Sequence, residues 1–511
     1  MIPIFSSLNM MQRALEANQE VIQTTGNNIS NANTDGYSRQ RVDLTTWYAY
    51  PAAGINASKG AGQVGTGVNA GSITRIRDQF VDAQVRDNAN QNGYWSAVND
   101  AYSQMESIVN ETSSDSGVAN TLDTFWQSLQ DLASNAGTSG TGSTVLEDGS
   151  AVTDTFNYMA SSLNKIQTNI GQQITENTTL VNSYADQINS LNQEINTQEA
   201  NGMLPNDLYD QRDALVDKLS ALVNVKVTTT KSGGNPSSLA EGLYTIQLVD
   251  ANGNPYKNDS NGENATLVDS KTFTDNHLSA PLSTDANGNA TVTQSLVSAD
   301  GTTPVVSTLT NMYGTLQGEV DAYTTDYPEV MKSLNNMAST LATNFNTAYA
   351  ASAGGAAKAQ AFFLGNGSGN SAGTVTALNI HVNSNLSGSD ITANANGAVS
   401  GDNSAATAMA DVIATNKYSV DGGSSTPSTL EDYLSGLVGQ IGVNAQSADQ
   451  LSTNTSTLLT SAQNQRASIS GVSVDEELTN LIQYQQAYSA SAKVVTTLNT
   501  MLDTLINRMG E

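Results

Sequence analysis

Heptad spacing of apolar residues marks both ends of this chain, and it constrains the fold more than any other feature of the sequence. At each end, apolar side chains recur every seven residues, a spacing typical of a helix whose seam needs a partner. The seam residues are Leu8, Leu15, Ile22 and Ile29 near the start, and Leu481, Tyr488, Val495 and Leu502 near the end. Ordinary amphipathic helices of a globular core would show the same spacing, so it predicts either such helices or a terminal coiled-coil pair with these side chains as an assembly interface.

The middle of the chain changes its period from helical to alternating. Helical spacing runs through 76–132 and 155–200. From Val225 onward, apolar and polar residues alternate, and the Asn-Gly dipeptides that follow favour hairpin turns. Helical patterns then return, interrupted by a stretch rich in Gly, Ala, Ser and Asn at 351–408.

This order of patterns predicts a mainly α fold with an inserted antiparallel β domain (α+β). Because helices that need one another lie at opposite ends of the chain, we expect nested domains, each outer one joining an N-terminal and a C-terminal part. The predicted domains are a terminal coiled-coil domain of 1–55 with 471–511, a helical middle domain of 56–225 with 311–470, and an outer β domain of 226–310.

The charge balance excludes several classes of partner. The chain has 20 basic residues against 48 acidic ones, a formal net charge of -28. Nucleic-acid binding depends on Lys and Arg displacing counterions, and anionic membrane surfaces attract basic segments, so we expect neither partner. Cysteine is absent, which excludes disulfides and thiolate metal sites. No apolar run reaches the length of a membrane span, and the N-terminal residues lack the pattern of a cleaved secretory signal.

Polar clusters that resemble reactive or metal sites have simpler interpretations. The acidic cluster at 207–213, with Arg212, is interpreted as helix-start electrostatics and a local ion pair. Two Asp-Ala-Asn-Gly-Asn strings, at 250–254 and 285–289, lack the glutamate of a calcium loop and are predicted to be hairpin turns.

The histidines complete this survey of reactive side chains. His277 and His381 are the two histidines of the chain, and neither has a metal-ligand spacing. We therefore predict no catalytic residue, no cofactor and no metal site, and a protein that is not an enzyme.

Four separated segments resemble one protein family. Segment 27–40 is similar to a signature shared by the rod, hook and hook-associated axial proteins of the bacterial flagellum. The residues that carry this signature are Asn27, Asn28, Asn31, Asn33, Thr34, Gly36, Tyr37, Arg39 and Gln40. Segments 117–133 and 205–216 resemble stretches of the hook–filament junction branch of that family, and segment 470–488 resembles the C-terminal signature. The resemblance covers the outer parts of the chain, and the β insert shows no close match.

The resemblance implies a structural subunit, one of a ring of like subunits at the junction between hook and filament. It implies export through the flagellar type III apparatus without a cleaved signal, and an extracellular location in the flagellum. The implied partners are further copies of this chain, the hook protein, a second hook-associated protein on the filament side, and an export chaperone. Terminal helices then line the inner tube, the β insert faces outward, and we expect the terminal helices to become ordered on assembly.

Two other interpretations remain open at this point. The nearer one is a hook or distal rod protein, since those proteins share both end signatures but lack the string at 205–216. The other is an axial protein whose insert at 226–310 is a secreted hydrolase. A glycosidase of that kind would need a convergent pair of carboxylates, and no motif selects one.

Overall fold

A computed structural model describes residues 4–48, 65–109, 117–135, 140–285, 289–352, 360–366, 372–395, 401–421 and 426–508. The predicted turn at Asn287–Gly288 lies outside these residues. The helices they contain are α1 (Ile4–Ser30), α2 (Gln79–Val109), α3 (Val118–Ser134), α4 (Thr141–Glu199), α5 (Asn206–Leu222), α6 (Thr315–Asp321), α7 (Tyr327–Ala350), α8 (Ser404–Ala414), α9 (Leu430–Ser470) and α10 (Val474–Arg508). The prediction of a mainly α fold is confirmed. Among the described residues, none of these helices combines the length and the apolar character needed to cross a bilayer.

The strands of the described residues form small antiparallel sheets, as the alternating pattern predicts. They are β1 (Gln40–Thr46), β2 (Val68–Arg75), β3 (Val225–Thr230), β4 (Leu243–Leu248), β5 (Thr266–Asp269), β6 (Thr274–Ser279), β7 (Leu282–Thr284), β8 (Ala290–Val292), β9 (Ser295–Ser298), β10 (Pro304–Val306), β11 (Phe363–Leu364) and β12 (His381–Val382). Six of them form one sheet in the order β10-β9-β6-β5-β4-β3. The predicted turn at 250–254 is present, since Asp250 accepts backbone hydrogen bonds from Asn252 at 2.9 Å and Asn254 at 2.8 Å.

A separate two-stranded ribbon follows the first helix. Strand β1 pairs with β2 from Gln40 opposite Arg75 to Thr46 opposite Val68. The predicted domain boundary between residues 55 and 56 falls between these paired strands and assigns them to different domains. Strand β2 therefore pairs across the predicted boundary, which local patterns in the sequence do not show. The domain bounds remain a prediction.

Helix α4 is the longest element, and its heptad spacing corresponds to burial. It has 59 residues and begins at Thr141, earlier than the 155–200 pattern predicts. At about 1.5 Å per residue it is roughly 88 Å long. Its seven-residue repeat, Ile174, Val181, Ile188 and Ile195, is fully buried. One helix thus contacts both the helical body and the β sheet, and it carries the hydrophobic core from one to the other.

The stretch rich in small residues contributes to the core in spite of its composition. Phe362 and Phe363 are fully buried, and their rings lie 4.8 Å and 5.2 Å from that of Phe345. Gly149 of α4 makes room for them, because a Cβ at that position would lie 2.9 Å from the Phe362 ring. Two aromatic residues therefore anchor this segment between α4 and α7.

Helix α6 continues into α7 through a π-helical turn at Ala322–Asp326. Such turns place an extra residue in the helix and redirect its side chains. Gly318 holds α6 close to α2, since a Cβ there would lie 2.7 Å from the carbonyl oxygen of Tyr94. The turn thus lies against α2, where it brings acidic side chains next to tyrosines.

Candidate functional site

The predicted terminal seam lies along the α1–α10 helix pair. All eight seam residues are half-buried except Tyr488, which is 39% exposed. The buried residues of α1 are Ala17, Val21, Thr24, Thr25 and Asn28. The buried line of α1 therefore runs beside the predicted seam, and the seam itself keeps apolar surface that the other described residues do not cover.

A second apolar line is more exposed and belongs to α10. Val474, Leu478 and Ile482 are four residues apart, so they share one face of the helix. Leu478 is 43% exposed and Ile482 is 54% exposed. Apolar residues aligned on one exposed helix face are typical of a surface that another protein covers. We name Val474, Leu478 and Ile482 the α10 stripe.

Asn28 explains why the N-terminal signature has its particular residues. The side chain is 1% exposed, and its Nδ2 donates to the Gln40 carbonyl at 2.8 Å and to Glu477 Oε2 at 3.1 Å. Its Oδ1 accepts from the Gln40 backbone N–H at 3.0 Å and from the Tyr37 hydroxyl at 2.8 Å. One amide thus joins α1, β1 and α10, and its full set of bonds compensates for its burial.

The other signature residues shape the turn around this amide. Asn31 Nδ2 donates to the Asn27 carbonyl at 3.1 Å, and the Thr34 hydroxyl donates to Asn31 Oδ1 at 3.2 Å. Gly36 has a φ of 79°, a conformation that favours glycine, and packs on α5. Arg39 forms an ion pair with Glu476 at 2.8 Å, and Asn33 is exposed.

The structure brings the segments that share the family resemblance together. The Ser38 backbone N–H donates to Asp210 Oδ2 at 3.1 Å, and Gln40 Nε2 donates to Asp207 Oδ1 at 3.3 Å. The Arg39 backbone N–H donates to the Ser470 carbonyl at 2.9 Å. Segments 27–40, 205–216 and 470–488 therefore meet at one point, at the base of the α1–α10 pair.

Next to this point lies a largely buried network of ion pairs, which we name the arginine–carboxylate joint. Its members are Arg75, Arg77, Arg86, Arg466, Asp82, Asp210, Asp213, Asp217 and Glu241. They come from β2, the short connection between β2 and α2, α2, α5, α9 and the segment that leads into β4. The joint thus fixes the terminal elements, the helical body and the base of the β sheet to one another.

Asp213 is the centre of the joint. Its carboxylate lies 3.0 Å from Arg75, 3.1 Å from Arg77 and 3.1 Å from Arg86. Burial alone would raise the pKa of Asp213, but attraction to Arg77, Arg75, Arg86 and Arg212 outweighs it and holds the pKa well below its ordinary value. The carboxylate is therefore ionised at neutral pH and is a structural anchor.

Arg212 does not form the predicted local ion pair. We predicted a local ion pair within 207–213, but Arg212 Nη1 donates to the Gly242 carbonyl at 2.7 Å, and its guanidinium lies 3.5 Å from the centre of the Tyr244 ring. The carboxylates of α5 pair instead with arginines that lie more than a hundred residues earlier in the chain. Asp207 does lie in the first turn of its helix, as predicted.

Local patterns did not lead to a prediction of the joint, although the sequence contains two signals for it. Arg75 and Arg77 are two residues apart at the end of a strand, so their side chains leave the same face. Asp210, Asp213 and Asp217 are spaced as one face of a helix. The analysis also missed Asp186 as a neighbour of His277, whose Nε2 lies 2.9 Å from Asp186 Oδ1.

Family models match three parts of the chain. The helical domain of the flagellar hook-associated protein FlgK matches residues 102–363. The flagellar basal body rod FlgEFG protein C-terminal model matches residues 463–509, and the flagella basal body rod protein model matches residues 8–37. The end models thus correspond to the helix pair, and the central model to the helical body and the β sheet.

Relatives cover the whole chain. Flagellar hook-associated protein 1 of Bacillus subtilis is 39% identical over 100% of this chain and 99% of its own length. The protein of that name from Escherichia coli is 28% identical over 98% of this chain and 99% of its own length. A solved structure of the flagellar hook junction protein FlgK from Burkholderia pseudomallei shares the fold, with a TM-score of 0.57 at 15% identity over 76% of this chain and 100% of that one. The chain therefore belongs to the flagellar hook-associated protein 1 family, a family of structural proteins of the flagellar axis that are not enzymes.

Proposed function

We propose that this chain forms a ring of like subunits at the junction between hook and filament. The ring contacts the hook protein on one side and a second hook-associated protein on the other. The chain reaches this extracellular site through the flagellar type III export apparatus, escorted by an export chaperone. The names of its relatives, a hook-associated protein and a hook junction protein, support this position.

The observation that carries the proposal is the α10 stripe. Its apolar side chains are exposed, while the arginine–carboxylate joint at the base of the same helix pair is largely buried. The joint therefore supports a helix of 35 residues whose stripe the other described residues leave exposed. Packing against neighbouring copies would bury that face, at roughly 25 cal/mol for each Å² removed from water.

The seam residues belong to the same proposed interface. They are Leu8, Leu15, Ile22 and Ile29 on α1, with Leu481, Tyr488, Val495 and Leu502 on α10. We place the terminal domain, 1–55 and 471–511, on the inside of the tube. The helical domain of 56–225 and 311–470 forms the middle layer, and the β domain of 226–310 faces outward. The net charge of -28 keeps free copies apart until specific contacts form.

Deletion of the gene and complementation in the host test the proposal. The deletion strain is expected to make complete hooks without filaments and to lose flagellin to the medium. Complementation with Leu478→Gln/Ile482→Gln should secrete the chain but not restore filaments, because the stripe no longer favours burial. Gln483→Ala is the matched control, an exposed polar position on the same helix that should restore filaments.

Other outcomes would change the assignment. Missing hooks in the deletion strain would move the chain inward to a hook or distal rod role. Filaments restored by the stripe variant would show that another surface carries assembly. Hydrolysis of cell-wall substrate by the purified chain would support the alternative of an enzymatic insert at 226–310.

The order of the terminal helices before assembly is a separate proposal. The seam residues are half-buried or exposed, so folding of the free helix pair buries little apolar surface. This burial offsets little of the conformational entropy that is lost when the pair becomes ordered. We propose that both ends become stable helices only in the ring. Circular dichroism of the monomer, with and without residues 474–511, should then show little helix lost with that segment; a loss that matches its full length would contradict the proposal.

A further inference from the structure

Three potential metal ligands meet where the β sheet lies on the long helix. Asp275 and His277 belong to β6, and Asp186 belongs to α4. His277 Nε2 lies 2.9 Å from Asp186 Oδ1 and 3.3 Å from Asp275 Oδ2, and all three ligand atoms lie within 4.8 Å of one another. Asp186 and His277 are 91 residues apart in sequence, so only the fold brings them together.

Two of the three spacings in this cluster correspond to those between ligands on a tetrahedral ion. Bond lengths to Zn²⁺ are about 2.0–2.2 Å for histidine nitrogen and carboxylate oxygen, so two ligand atoms on a tetrahedral ion lie about 3.3 Å apart. The two distances to His277 Nε2, 2.9 Å and 3.3 Å, are close to that value. The three atoms could bind one ion with small adjustments of their side chains.

The surroundings hold the ligands in place. Asn189 is 6% exposed, and its Nδ2 donates to Asp275 Oδ1 at 2.8 Å and to the Phe273 carbonyl at 3.0 Å. Asn182 bonds both the N–H and the carbonyl of Leu278, next to His277. Two asparagines of α4 thus fix β6 on either side of the ligands, as outer-shell residues do in metal sites.

Two further observations concern the surroundings of the cluster. Asn189 contacts Asp275 through its Nδ2, while its buried Oδ1 has no hydrogen-bond partner among the described residues. Asp186 also lines a cavity of about 750 Å³ between α4, α5 and the signature turn, so an ion could enter from solvent. One imidazole and two carboxylates favour a transition ion over Ca²⁺ or Mg²⁺, which prefer oxygen ligands alone.

We propose that Asp186, Asp275 and His277 bind a divalent transition-metal ion, with Zn²⁺ as the best match, and that the ion fastens the β domain to α4. The fourth position is open to water, because Asp186 and His277 keep part of their surface exposed. The ion would have no reaction to perform. It would add a connection between the sheet and the helical body at a distance from the arginine–carboxylate joint.

Calorimetric titration of the untagged, metal-free full chain with Zn²⁺ tests the proposal. We expect one ion per chain and a higher Tm in its presence. His277→Gln should abolish this binding, and Asp186→Asn should weaken it by about tenfold or more. His381→Gln is the matched control, because His381, on β12, is the other histidine and its Nδ1 lies 2.9 Å from the Asn379 carbonyl oxygen.

A measurement on the unmodified chain guards against variants that fail to fold. The chain contains 2 histidines, so its NMR spectrum has two sets of imidazole signals. Zn²⁺ should shift one set and leave the other in place, and Mg²⁺ at the same concentration should shift neither. Equal shifts of both sets, no shift, or unchanged Zn²⁺ binding in His277→Gln would overturn the proposal and leave an ordinary ion pair.

Discussion

The arginine–carboxylate joint and the turn between α6 and α7 both bury acidic side chains, but they do so in opposite electrostatic surroundings. In the joint, Asp213 is surrounded by guanidinium groups. At the turn, the bonds come from neutral groups: Asn177 donates to Glu319 at 2.7 Å, Tyr94 to Asp321 at 2.9 Å and Tyr102 to Asp326 at 2.9 Å. Burial acts to raise the pKa of the carboxyl groups in both regions, and the charged partners of the joint reverse that effect.

The two regions therefore respond to pH in opposite directions. The pKa of Asp213 is below its ordinary value of 3.8, so its stabilising contribution is complete above that pH and is lost as the pH falls further. Burial raises the pKa of Glu319 to about 7, above its ordinary value of 4.5, and raises the pKa of Asp326 to about 6. The charged form of Glu319 destabilises the fold above pH 7, and this cost disappears as the pH falls to 4.5.

The largest effect is expected from Asp213→Asn. The substitution removes the carboxylate charge that the buried guanidinium groups of Arg75, Arg77 and Arg86 share. This loss should lower the free energy of unfolding by about 3–5 kcal/mol. Urea denaturation at neutral pH measures it. The control is Arg41→Gln, which removes an exposed pair with Asp43 and should cost less than about 1 kcal/mol. Equal costs for the two variants would mean that the joint contributes no more than a surface pair.

The second prediction concerns Glu319→Gln, which should stabilise the chain. The amide removes the buried charge, and at pH 8 the free energy of unfolding should rise by about 3 kcal/mol, the equivalent of the raised pKa. The gain should vanish when denaturation is repeated at pH 4.5, where the wild-type carboxyl is protonated. Glu329→Gln, at an exposed position of α7, should have little effect at either pH. A lower free energy of unfolding for Glu319→Gln at pH 8 would contradict the opposite electrostatic effects inferred for the two regions.

The smallest effect is expected from Tyr102→Phe. Above pH 6 the Tyr102 hydroxyl donates to a charged Asp326. Its removal should therefore lower the free energy of unfolding by about 1.5 kcal/mol at pH 8 and by less at pH 5. Tyr327→Phe is the matched control, since its hydroxyl donates to the neutral Ala101 carbonyl at 3.1 Å. Its cost should not change between the two pH values. The same pH dependence in both variants would show that the charge of Asp326 is irrelevant.

Local patterns predicted the helical part of the fold well, because periodicity records burial directly. The repeat of Ile174, Val181 and Ile188 is fully buried, and Gly471 separates α9 from α10. Composition was a poorer guide in the stretch at 351–408. There, two adjacent phenylalanines among small residues decide the packing, and an average over the segment hides them.

Long-range partners could not be predicted from local patterns. The pairing of Asp213 with Arg75 and the meeting of Asp186 with His277 depend on how distant elements dock. The signature residues could be identified by resemblance, yet their purpose could not. Only the structure shows that Asn28 uses all its bonds to close the turn and to reach Glu477.

The bond between Asn28 and Glu477 has a kinetic consequence. The two residues are 449 positions apart, so the amide cannot complete its bonds until nearly the whole chain is available. A chain that leaves a narrow channel one end first cannot form this contact until its other end has also left the channel. Closing so long a loop is slow compared with forming a local helix. The order of emergence therefore determines when this contact can form, and the α1–α10 pair is the last element that such a chain can complete.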